Sequence, residues 1–216
     1  MDPKYNLRMH RRNDIGLGAT FHDREGEWNQ NIKYWRIGRR LLREFSGVVV
    51  SATQNTYQRN HGVVAELSRQ GVIVEKEVLG QLSNSVVENN HLKALDLASR
   101  MGFPFVMYGD FDRLMVDSVL GDGLHRFMGK FRKFLTGAEF DMVVISRDVH
   151  SESYSRILTE SPVIELLSKS MGFYCDPLGS YVVLRNQLAR EIVTRSREWE
   201  SVKFPVTKWV VMAKEM

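Results

Sequence analysis

Phe105-Val106-Met107-Tyr108-Gly109-Asp110-Phe111-Asp112 is an apolar run that ends in two carboxylates one residue apart. Four apolar residues bounded by Pro104 and Gly109 read as a short buried strand. A pair of carboxylates just past such a strand supplies the hard oxygen donors that grip a divalent cation, and the cation in turn grips a phosphate-bearing ligand. A second reading stands beside it: Asp is common in turns and helix caps, where its side chain accepts backbone N–H bonds.

Outward from this stretch the chain alternates strands and helices. Upstream, Ile15–Phe21 reads as a first strand, Trp28–Phe45 as a helix, and Val48-Val49-Val50 as a second strand. A helix over Tyr57–Gln70 closes at Gly71, Val72–Val78 is a third strand, and a helix over Val86–Met101 ends at Gly102. Downstream, Val116–Leu135 reads as mostly helical, Met142–Ile145 as a strand, and Ser153–Ser170 as a helix with a kink at Pro162. Tyr181–Leu184 is a strand and Gln187–Trp199 a last helix. Short continuous apolar strands between helices predict an α/β fold: a single three-layer α/β/α domain with a mostly parallel central sheet. Ligands of such sheets bind beyond the carboxyl ends of the strands. His22-Asp23-Arg24, Ser51-Ala52-Thr53 and Asp110-Phe111-Asp112 all lie at such ends, and they converge if their strands are neighbours.

The bulk composition fits one domain. The chain has 216 residues, 43% of them apolar, and no apolar run long enough to predict a transmembrane helix. Met1–Arg12 is polar and basic, unlike a secretory signal. The single Cys175 excludes an internal disulfide and a cysteine zinc site, and a cytoplasmic location is the expectation. The net charge of +4 is either a solvated basic surface or affinity for polyanions. Without a clear basic run interleaved with aromatics, no nucleic-acid partner is expected.

With Asp110-Phe111-Asp112 behind a fourth strand and Asn90–Arg100 forming the helix before it, the chain resembles a nucleotide-sugar glycosyltransferase of the GT-A type. The resemblance covers roughly residues 15–195. It implies a GT-A-like domain with residues 1–14 as an N-terminal extension, 15–118 as the nucleotide-binding half, 119–199 as the acceptor half and 200–216 as a C-terminal tail. It implies Mn2+ or Mg2+ on Asp110 and Asp112, and a nucleotide-diphosphate sugar contacted by His22, Asp23, Arg24, Thr53, Gln54, Asn90, Lys93 and Asp110. Plainer roles are open for several: His22-Asp23-Arg24 as a helix cap, Asn90 and Lys93 as an exposed helix face. If the reaction inverts the anomeric centre, its base should be a carboxylate, with Asp176 the first candidate ahead of Asp148 and Glu160. His125 and His150 are candidate third metal ligands. The chain departs from the family at Ser51-Ala52-Thr53-Gln54, where many relatives carry an acidic residue, so a non-catalytic nucleotide- or partner-binding protein is the alternative. Asp110–Ser118 is also similar to the first motif of haloacid-dehalogenase-type phosphatases, but Arg113 and Leu114 stand where that family has Gly and Thr.

Overall fold

The structure is a computed structural model. It describes residues 14–23, 25–30, 37–78, 85–114, 123–135, 140–145, 154–172, 174–176, 181–199 and 205–216.

The strands are β1 (Ile15–Phe21), β2 (Gly47–Ala52), β3 (Ile73–Lys76), β4 (Phe105–Asp110), β5 (Met142–Ile145) and β6 (Tyr181–Arg185). They form one six-stranded sheet in the order β3-β2-β1-β4-β6-β5. β3, β2, β1 and β4 are parallel, while β6 runs antiparallel to both β4 and β5. The helices are α1 (Ile37–Glu44), α2 (Gln54–Arg59), α3 (His61–Arg69), α4 (Val86–Arg100), α5 (Gly123–Leu135), α6 (Tyr154–Met171), α7 (Asn186–Arg195) and α8 (Pro205–Glu215). The α/β expectation and the mostly parallel sheet are met.

Every residue of β1 and β2 is buried, because helices cover both faces of the sheet. On one face Leu17, Ala19 and Phe21 pack with Leu41 of α1, Leu67 of α3 and Met128 of α5. On the other, Val49, Val106 and Tyr108 pack with Leu92 and Leu95 of α4, Ile192 of α7 and Trp209 of α8. Gly18 is what lets α4 lie so close, since a Cβ there would stand 2.5 Å from the Ala94 carbonyl oxygen. Ser85 caps α4 by accepting the Glu88 N–H at 3.4 Å, and Gly102 follows its last turn at φ 80°.

Several boundaries differ from the sequence reading, for local reasons. The helix expected over Trp28–Phe45 is represented by a 3-10 turn, Glu27–Gln30, and by α1, with 31–36 outside the described residues. The helix expected over Tyr57–Gln70 is two helices. It starts earlier because Thr53 caps α2, and it breaks at Asn60, whose amide donates to the carbonyls of Asp23 and Thr56 at 3.0 Å each. α6 continues through Pro162. The stretch 200–216, read as a tail, contains α8, whose Trp209 is fully buried against the sheet.

Candidate functional site

Parallel pairing places the ends of β2, β1 and β4 side by side, as the convergence argument requires. Thr20 of β1 is in register with Ser51 of β2 on one side and Asp110 of β4 on the other, and Ser51 is in register with Glu75 of β3. Registered residues of a parallel sheet point to the same face. These four polar residues therefore form one row across the sheet. β6, entering antiparallel, starts at the same edge, with Tyr181 opposite Gly109.

The row lies beneath the first half of α4, which meets it with polar side chains. Ser51 donates to the Asn90 side-chain oxygen at 2.6 Å, and the Asn90 amide stands 3.3 Å from His22 Nε2. Lys93 pairs with Glu75 at 3.2 Å. Thr20 donates to Asp110 Oδ1 at 3.0 Å and stands 3.1 Å from the Tyr108 hydroxyl, which is hydrogen-bonded in turn to His91 Nδ1. Trp209 closes the layer, its ring edge-on to Tyr108 with centroids 4.9 Å apart.

Past β4 the chain makes a helical turn, 111–114. Phe111 and Leu114 are buried in the opposite face, Phe111 edge-on to Phe21, while Asp112 and Arg113 stay partly exposed between them. Burial raises the pKa of Asp110 above the usual carboxylate range, the charge of Asp112 raises it further, and the bond from Thr20 and the charge of Arg113 oppose both. Burial raises Tyr108 well above its ordinary value, with Asp110 adding to it. Burial also holds His91 down at about 3, helped by His22, so its ring is neutral. A repelled carboxylate pair at a strand end suits a hard divalent cation. Among the described residues no third His, Cys, Asp or Glu joins it. An ion bound here would have two protein carboxylates and would need water or a ligand to complete its shell.

The remaining expected residues divide. Asp23 is buried and spends its carboxylate on its own loop, accepting the N–H groups of Gly26, Glu27 and Trp28 at 3.0, 3.1 and 2.9 Å. This is the cap reading. Thr53 caps α2 and donates to Thr56 Oγ1 at 2.9 Å, and Gln54 is exposed on the first turn of that helix. Asp176 is buried beside Cys175, whose thiol is raised by burial and by the Asp176 charge. Cys175 packs with Leu167 and Val210, four residues of chain short of the start of β6 beyond Asp176. Arg24, Asp148, His150 and the side chain of Glu160 lie outside the described residues. His125 is not at this edge: its Nδ1 is 2.5 Å from Glu44, at the end of α1 just before β2 begins, so it stands at the amino ends of the strands.

Thr20, Tyr108 and His91 are the site residues the sequence reading passed over. Thr20 and Ser51 had one signal, being the hydroxyls that interrupt otherwise apolar strands near their carboxyl ends. Tyr108 had none, since a strand aromatic reads as core. No helix among the described residues is long and apolar enough to cross a membrane. No family model matches the chain, and neither a curated protein nor a solved structure matches it.

Proposed function

We propose that the chain is a GT-A-like, divalent-metal-dependent transferase that moves a sugar from a nucleotide diphosphate donor to an acceptor hydroxyl. The observation that carries this reading is the pair Asp110 and Asp112 at the carboxyl end of β4, with the polar ends of β1 and β2 beside it in one sheet. Asp110 and Asp112 would hold Mn2+ or Mg2+, which when bound neutralises the charge developing on a leaving diphosphate. His22, partly exposed, would meet the nucleotide end of the donor, with Asn90 buried behind it and joined to Ser51 rather than on an exposed helix face. Lys93, beside the same row, supplies a cation paired with Glu75. Asp176, buried and five residues before β6 begins, remains the carboxylate proposed as base.

The experiment is thermal unfolding with a panel of nucleotide sugars, each with and without manganese, for wild type and Asp112→Ala. Metal-dependent stabilisation of wild type by at least one donor, lost in the variant, is the expected result. No stabilisation by any of them, with both proteins alike, overturns the reading.

The alternative, a nucleotide- or partner-binding protein without transfer, draws on the missing carboxylate at Ser51-Ala52-Thr53-Gln54 and on the use of Asp23 as a loop cap. Nucleotide binding without turnover of any donor would select it. The phosphatase reading has less support, since Leu114 fills a core position where that family places Thr.

A further inference from the structure

We propose that Thr20 is a positioning residue for Asp110, held in its donating direction by Tyr108 and His91, so that Asp110 presents its single oxygen Oδ2 to a cation. The proposal rests on the metal reading above and extends it to three residues that touch no ligand.

Thr20 is completely buried, so water does not share in its bonding. Its one hydroxyl proton has two partners, Asp110 Oδ1 at 3.0 Å and the Tyr108 oxygen at 3.1 Å. An ionised carboxylate only accepts. The Thr20 proton therefore goes to Asp110, and Tyr108 must donate to Thr20. The Tyr108 oxygen is then left to accept, and His91 Nδ1 must carry the hydrogen that it accepts. A neutral imidazole protonated on Nδ1 meets this, and burial keeps the His91 ring neutral. Every hydrogen in the chain His91–Tyr108–Thr20 points toward Asp110.

The chain is also held sterically. The Trp209 ring lies edge-on to Tyr108 at 4.9 Å and to His91 at 6.4 Å between centroids. Asp110 Oδ1 thereby carries a hydrogen bond from the protein, and among the described residues no group donates to Oδ2, which is left the freer oxygen for an ion. A carboxylate held this way binds an ion through one oxygen in a fixed direction. Partners of this kind, one bond behind a ligand, typically contribute 10–100-fold to metal affinity.

The test is titration of the protein with Mn2+ alone, free manganese being counted by electron paramagnetic resonance, for wild type, Thr20→Val, Thr20→Ser and Tyr108→Phe. Melting in EDTA is followed alongside. Thr20→Val is expected to weaken manganese binding about 10-fold or more. Thr20→Ser, which keeps the hydroxyl, binds as wild type does. Tyr108→Phe weakens binding by less than Thr20→Val, because Asp110 keeps a donor that has lost its own support. If Thr20→Val fails to fold, Tyr108→Phe against wild type carries the same comparison. Wild-type affinity in Thr20→Val or, failing that variant, in Tyr108→Phe overturns the proposal. So does a Thr20→Ser as weak as Thr20→Val, since the hydroxyl that serine keeps would then not set the affinity. Absence of manganese binding by wild type at millimolar ion is a separate result: it sinks the metal reading before any variant is compared, and the positioning role with it.

Discussion

Lys208→Met is the substitution whose cost the structure specifies best. Lys208 Nζ is 2.7 Å from Glu88 Oε1, and it donates also to the carbonyls of Ser196 at 3.0 Å and Trp199 at 3.4 Å. Both side chains of the pair are only 1% exposed. Met fills much the same space without the charge, so packing changes little and Glu88 loses the ammonium that pairs with it. Breaking a buried pair by removing one partner costs about 3–5 kcal/mol, whereas replacing both partners with neutral groups costs far less. The expected destabilisation is therefore about 3–5 kcal/mol. For a chain of this size that is a fall in melting temperature of roughly 6–20 °C. Urea unfolding measures it, with Glu88→Gln/Lys208→Met as the control that regains more than half the loss. A Lys208→Met protein within about 1 kcal/mol of wild type at pH 7, or a double variant no better than the single, would refute the reasoning. The pair matters to the site because it fastens α8 to the start of α4 and so holds Trp209 on Tyr108.

The remaining predictions concern the same polar layer, the close contact beside it and one open position on α5. The His91 pKa, about 3 in the folded protein, lies below the ordinary 6.5 of the unfolded chain, so the unfolded state takes the proton first. Stability is fully present above about pH 6.5 and falls by about 1.4 kcal/mol per pH unit as pH drops toward 3, and His91→Asn should flatten that limb in urea unfolding at pH 7, 6 and 5. Asp110 has the opposite sign, since its raised pKa makes its charge a cost at neutral pH. Asp110→Asn, which still accepts from Thr20, should melt at or above wild type in EDTA while losing manganese stabilisation. Gly18→Ala drives a methyl into the Ala94 carbonyl and should cost about 1–3 kcal/mol or more in chemical denaturation. Gly129→Ala, in open space on α5, should instead gain about 0.5–1 kcal/mol.

What could be read from the sequence is what local chemistry decides. β1 was legible to the residue because Ile15–Phe21 is apolar or small throughout, as a strand buried on both faces must be. α4 was legible because its apolar residues recur at helical spacing up to Gly102, and β5 because Met142–Ile145 is a short apolar run. The break at Asn60 was not, since it depends on a bond to the Asp23 carbonyl 37 residues away. Nor was α8: Lys208 sits in the middle of its buried face, which makes sense only once Glu88, 120 residues earlier, is placed opposite. His125 misled for the converse reason. A lone histidine carries no mark of which end of the sheet it occupies, and its partner Glu44 puts it at the wrong one.

The candidate site shows the same division inside a single rung. Asp110 and Asp112 were visible as a strand-end carboxylate pair, and the β1 end was visible as polar. What no local pattern states is that β1 lies between β2 and β4, because β3 and α4 separate them in the chain. That order is what gives Asp110 its neighbour. Had β4 paired with β3 instead, Asp110 would have met the exposed edge of the sheet, with no buried hydroxyl to fix its oxygen and no Tyr108 behind one. The chemistry proposed for the carboxylates thus depends on a crossover connection. It is also why the residues that orient Asp110 come from β1, α4 and α8, with Tyr108 of β4 between them, rather than from its own loop.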